Sequence, residues 1–118
     1  MEAPRLRVVR EAIPRSELAA LAMEQFGDMV KAVIDVERGI LAIGGELHSD
    51  EEALLLDDGS RQTDLWGINL YPQESGDDFV EFDSMINVRP SQGNRSRTVE
   101  DAHLQARIRA AVSALVTG

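Results

Sequence analysis

Residues 29–47 constrain the fold most, because they read as two strands folded back about one tight turn. Val30, Ala32, Ile34 and Val36 alternate with Lys31, Asp35 and Glu37, so opposite faces of one strand are apolar and charged. Arg38-Gly39 supplies the turn, since glycine accepts the positive φ that tight hairpins require. Ile40-Leu41-Ala42-Ile43-Gly44-Gly45-Glu46-Leu47 then returns as the partner strand, and its paired glycines mark a bulge or a close backbone approach. A second hairpin is expected from residues 65–71 and 79–89, joined by a loop carrying Pro72, Gly76 and two aspartates. Its second strand sets Val80, Phe82, Ile86 and Val88 on one face, interrupted by Ser84. Glu81, Asp83, Asn87 and Arg89 lie on the other.

Helices fill the intervals. Pro14 opens one whose Leu18, Leu21, Ala22 and Phe26 form a single apolar stripe, with Gly27 as the stop. A second starts at Ser49 and runs over Ala53-Leu54-Leu55-Leu56. A third begins near Thr98 and carries Leu104, Ile108, Ala111, Val112 and Leu115 on one side. Leu6-Arg7-Val8-Val9 fits a short edge strand. The order is (β)αββαββα, an α+β chain. It predicts two hairpins in one mainly antiparallel sheet with helices on one face, a two-layer sandwich. At 118 residues and 13.0 kDa, one domain over 1–118 is the default.

Composition removes several functions. The chain has no cysteine, so disulfides, thiolate metal sites and cysteine nucleophiles are excluded together, and a reducing cytoplasm is the expected location. Residues 1–7 hold no apolar run of signal-peptide length, and no stretch approaches the roughly 18 apolar residues of a membrane span. The formal charge of −9 repels a phosphate backbone, which disfavours long nucleic acid as a partner.

Polar residues on the strands mark where chemistry could sit. If the two hairpins share a sheet with faces aligned, Lys31, Asp35, Glu46, His48, Asn69, Glu81, Asp83, Asn87 and Arg89 occupy one surface. In that arrangement Asn69 lies opposite Glu81, and Gly67 opposite Asp83. A solvated sheet face is the plain alternative. Asn and Asp, however, are depleted in strands, and Asn69, Asp83 and Asn87 all fall there. Glu46 and His48 are candidate metal ligands, with Asp83 or Asp35 completing the set. Ser49 and Glu52 read as a capping box, with Asp50 and Glu51 favoured by the helix dipole. Trp66 reads as core and His103 as solvated. Asn94, Arg95 and Arg97 precede the third helix, whose free amides beside two arginines would favour phosphate or carboxylate. The competing arrangement pairs those arginines with Glu81, Asp83 or Glu100.

The blocks Phe26-Gly27-Asp28-Met29-Val30-Lys31-Ala32-Val33, Gly44-Gly45-Glu46-Leu47-His48 and residues 64–72 and 81–90 carry a family resemblance, as do Asn94-Arg95-Ser96-Arg97. The chain resembles a family of small bacterial proteins known only as a domain of unknown function. That resemblance implies a stand-alone bacterial protein and supplies no activity, cofactor or catalytic residue. The residues themselves point first to a small domain binding an anionic or phosphate-containing ligand through Asn69, Asp83, Asn87, Arg89, Asn94, Arg95 and Arg97. One alternative is a hydrolase or nuclease using Glu46, His48, Asp83 and a divalent metal, the one cofactor in view. Another is a regulatory domain that recognises a protein partner through an exposed sheet edge.

Overall fold

A computed structural model describes residues 5–118, so Met1 to Pro4 of the N-terminal stretch lie outside the described residues. The fold is α+β. Five antiparallel strands run in the order β1-β4-β3-β5-β6, where β1 is Arg7–Val9, β3 Val30–Asp35, β4 Ile40–Ile43, β5 Leu65–Leu70 and β6 Val80–Glu81. A small parallel pair, β2 (Ile13–Pro14) with β7 (Val116–Thr117), ties the ends of the described chain together. The helices are α1 (Arg15–Glu24), α2 (His48–Asp57) and α3 (Ala102–Leu115).

The two hairpins do share one sheet, because β3 pairs with β5 in the register Lys31↔Asn69, Val33↔Gly67 and Asp35↔Leu65. β5 in turn pairs with β6 through Asn69↔Glu81. Even-numbered side chains of β3, Ala32 and Ile34, join Trp66 and Ile68 in the main core. There they meet Leu18 and Ala22 of α1 and Ile108, Val112 and Leu115 of α3. Trp66 is 4% exposed, as its apolar strand neighbours predict.

The second helix takes the other face. Leu55 of α2 packs with Val33, Ile40, Ala42 and Leu65 in a separate cluster, so the sheet is covered on both sides. The physical reason lies in the face that carries Lys31 and Asp35. Val33, with Gly67 and Ala42 paired on either side of it, breaks that polar face with small or apolar residues that need cover. The polar character of this face persists toward Lys31, Asn69 and Glu81.

The second hairpin is shorter than its alternation implies. β6 ends at Glu81, and the chain leaves the sheet in a 3-10 turn over Met85–Asn87. Ser84 Oγ accepts from the Ile86 amide at the start of that turn. The Asn87 side chain then replaces the missing ladder. Its Oδ1 accepts the Gly67 amide at 2.8 Å and its Nδ2 donates to the Gly67 carbonyl at 2.9 Å. This brings Ser84 against β5 so closely that a Cβ on Gly67 would lie 2.5 Å from Ser84 Cβ. Gly67→Ala should therefore cost about 1–3 kcal/mol by overpacking, read as a lower denaturation midpoint. An unchanged midpoint would mean that the 84–87 turn does not rest on β5.

Candidate functional site

Shortening β6 opens a cleft of about 360 Å³ on the α2 side of the sheet. Its floor is one row across three strands: Lys31 on β3, Asn69 on β5 and Glu81 on β6. Leu47, His48 and Ser49 at the start of α2 form one wall, and Ser84, Met85 and Ile86 form the other. Asp83 and Arg97 close an end. The volume suits a small molecule.

His48 is 8% exposed and its Nε2–H donates to the Ile68 carbonyl at 2.8 Å, which leaves Nδ1 as the lone-pair nitrogen. Burial pushes the imidazole pKa down, Ile68 and Asn69 offset part of this, and Lys31 adds to it. The ring is therefore neutral at pH 7 and contributes no positive charge.

Asn69 is 6% exposed. Its Nδ2 donates to Glu81 Oε1 at 2.8 Å and to the Asp83 carbonyl at 3.2 Å, whereas its Oδ1 has no partner. Tyr71 Oη also donates to Glu81 Oε1, at 3.2 Å, and burial followed by the Glu81 charge raises the phenol pKa. Arg97 Nε is spent on Asp83 Oδ1 at 2.6 Å. Lys31 makes no ion pair among the described residues; its Nζ lies 5.4 Å from the Phe26 ring centre.

The start of α2 differs from the expected capping box. The helix begins at His48 with Leu47 as its N-cap, and no side chain caps it. Asp50 and Glu51 amides reach the Leu47 carbonyl, but those of His48 and Ser49 donate to no acceptor among the described residues. Glu51 is not a dipole partner on the surface. It is wholly buried, with Oε2 accepting the Gly45 amide at 3.0 Å and Oε1 unpartnered. Desolvation lifts its pKa to about 9, so it is a neutral acid at pH 7.

The third helix reverses the expectation for the arginine loop. α3 starts at Ala102, later than Thr98, and Asp101 caps it by accepting from the His103 and Leu104 amides. The amides of Arg95 and Ser96 and the Ser96 hydroxyl already hold a carboxylate, Glu100 Oε2, at 2.7–2.8 Å. The chain's own acid fills the nest that was expected to take a ligand.

Of the residues singled out on the sequence, the structure brings Lys31, His48, Asn69, Glu81, Asp83 and Arg97 to the cleft and sends the rest elsewhere. Asn87 is a strand substitute. Asn94 is buried and its Nδ2 pins the carbonyls of Asn87, Ser96 and Thr98. Arg89 is buried beneath the loop, 4.6 Å over the Trp66 ring, and donates to the carbonyls of Leu65, Ile86 and Gln62. Arg95 is exposed, and among the described residues only its backbone is engaged. Glu46 is exposed beyond β4, while Asp35 sits at the closed end of the first hairpin, accepting from the Glu37 and Arg38 amides and from Ser60. The proposed metal set does not converge: among the described residues no three His, Asp or Glu side chains lie close enough to hold an ion. Sequence reasoning missed the bare α2 N-terminus. The signal was present, since no Ser, Thr, Asp or Asn stands at 46 or 47.

Among the described residues no helix is long and apolar enough to cross a membrane. No curated protein and no solved structure matches the chain. Residues 7–115 match one family, and over that span the chain belongs to the family described as protein of unknown function DUF5674.

Proposed function

We propose that this is a small cytoplasmic ligand-binding domain that takes an anionic group in the cleft between β3, β5 and the start of α2. The observation that carries the reading is the uncapped α2 N-terminus opening beside Lys31, a cation with no carboxylate partner among the described residues. Free amides and a helix dipole favour an anion there, and a lysine at the same place adds a full charge. His48, held neutral on the α2 wall, adds a hydrogen-bonding ring nitrogen there and no charge. The anion site therefore moves from the Asn94–Arg97 loop to α2, with Arg97 at its edge.

Melts in phosphate and in chloride at equal ionic strength test this. At a hundredfold excess over the dissociation constant, a site specific to the folded state adds about 2.7 kcal/mol. Phosphate also stabilises proteins generally by exclusion from their surfaces, so the deciding quantity is the difference between variants. Lys31→Met should remove most of the phosphate increment. Ser49→Asp should raise the melting point in chloride, by supplying the missing negative charge, and abolish the increment. Equal increments in wild type and both variants would overturn the assignment.

A further inference from the structure

We infer that the cleft selects an oxyanion that keeps a proton at neutral pH, of the hydrogen phosphate class, and rejects sulfate, because His48 sets a bare ring nitrogen beside the start of α2. This rests on the reading of the cleft as an anion site and names the anion it takes. Lys31 and the free amides answer only negative charge. Sulfate, a full dianion, carries more of it at pH 7 than phosphate does, so charge alone favours sulfate. The group that discriminates has to be an acceptor.

His48 supplies it. The residue is 8% exposed and lines the cleft, and the Ile68 carbonyl accepts its Nε2–H, which fixes the tautomer and leaves a lone pair on Nδ1. Nδ1 has no partner among the described residues, yet it is not sealed from solvent as Asn69 Oδ1 is. Desolvation, with Lys31 adding to it, holds the ring neutral, so that lone pair stays free. His48 is also the first residue of α2, and helical Cα–Cβ bonds lean toward the N-terminus. The ring therefore projects past the free amides, on the side where an anion would sit. An anion with a proton on one oxygen donates to Nδ1. One without a proton sets lone pair against lone pair and leaves an enclosed acceptor unsatisfied. Arg97 offers no relief, because its Nε is committed to Asp83. A phosphate monoester, with a second pKa of about 6, is mostly proton-free at pH 7, so the free ion is the better fit.

Calorimetric titration at pH 7 with four tetrahedral anions separates the proton from size. Phosphate and arsenate each keep a proton there, whereas sulfate and selenate, their neighbours in size, have none. Wild type should bind the first two about tenfold or more tightly than the last two. Methyl phosphate should bind more weakly than phosphate, for want of the same proton. The imidazole nitrogen resonances of wild type report the contact itself. The Nδ1 signal should leave its bare-nitrogen position as phosphate saturates and stay there in sulfate. His48→Phe keeps a flat ring without nitrogen and should bring sulfate within about twofold of phosphate. Sulfate bound by wild type as tightly as phosphate, or phosphate bound with the Nδ1 signal unmoved, would overturn the selection and leave the anion site standing. If wild type binds none of the four anions, both fall together.

Discussion

Replacing Arg89 by alanine should lower stability by about 4–5 kcal/mol, more than any other exchange of a loop residue here. Its guanidinium is 8% exposed and donates to the carbonyls of Ile86, Gln62 and Leu65, joining the 85–92 loop to β5 and the turn before it. Glu52 of α2 lies 3.7 Å away. Removing the cation leaves these acceptors buried without donors, and each buried unpaired group costs about 1–3 kcal/mol. Breaking a buried pair by deleting one partner reaches about 3–5 kcal/mol for the same reason. Lysine should restore less than half of the loss, because an ammonium cannot reproduce a planar fork spread over three carbonyls. Chemical denaturation of the two variants checks this. A loss below about 1 kcal/mol for alanine, the level of a surface ion pair, would mean that Arg89 is solvated and free to act as a ligand.

The second large effect comes from Glu51. Its pKa is about 9 in the fold, against 4.5 for the free side chain. Between those values the folded protein keeps the proton that the unfolded chain has released. Stability is therefore full below pH 4.5 and declines as pH rises toward 9, at up to about 1.4 kcal/mol per unit. At pH 7 the deficit is on the order of 3 kcal/mol. Glu51→Gln keeps an oxygen for the Gly45 amide and never ionises, so it should stabilise the protein by that order at pH 7 and flatten the decline. Denaturation midpoints of both proteins between pH 5 and 9 settle the point. A wild-type profile no steeper than that of the variant would place Glu51 in water.

Much of the frame was legible in the sequence because alternation and stripes are local. The first hairpin, its Gly39 turn and the apolar sides of α1 and α3 follow from side-chain period, and the Asn69↔Glu81 pairing from closure about Gly76; Phe26, expected on the α1 stripe, lies beyond the helix and is exposed. The failures occur where a side chain takes over a backbone's role. Asn87 stands in for a strand, Asn94 for a turn and Glu100 for a bound anion, and Asp101 caps a helix start that was expected to have free amides. Each is a polar residue whose partner is distant or unpredictable in register, so its type announces a site while its geometry serves the fold. Depletion of Asn from strands was the usable clue, and it meant that residues 84–94 are not strand. The placement of α2 on the second face follows from Val33, apolar between Lys31 and Asp35, and from Ala42 and Leu65, which share its face. Glu51 reads on the sequence as a dipole partner because an acid in a first helical turn is normally at the surface, and its burial has no local signal.

Amide chemical-shift mapping during a phosphate titration tests the central claim most directly. Saturable shifts are expected centred on the His48 and Ser49 amides, extending to Lys31 and Asn69 across the cleft floor, and absent from Lys31→Met. Saturable shifts centred instead on Arg95, Ser96 and the first turn of α3, or no saturable shift anywhere, would contradict it.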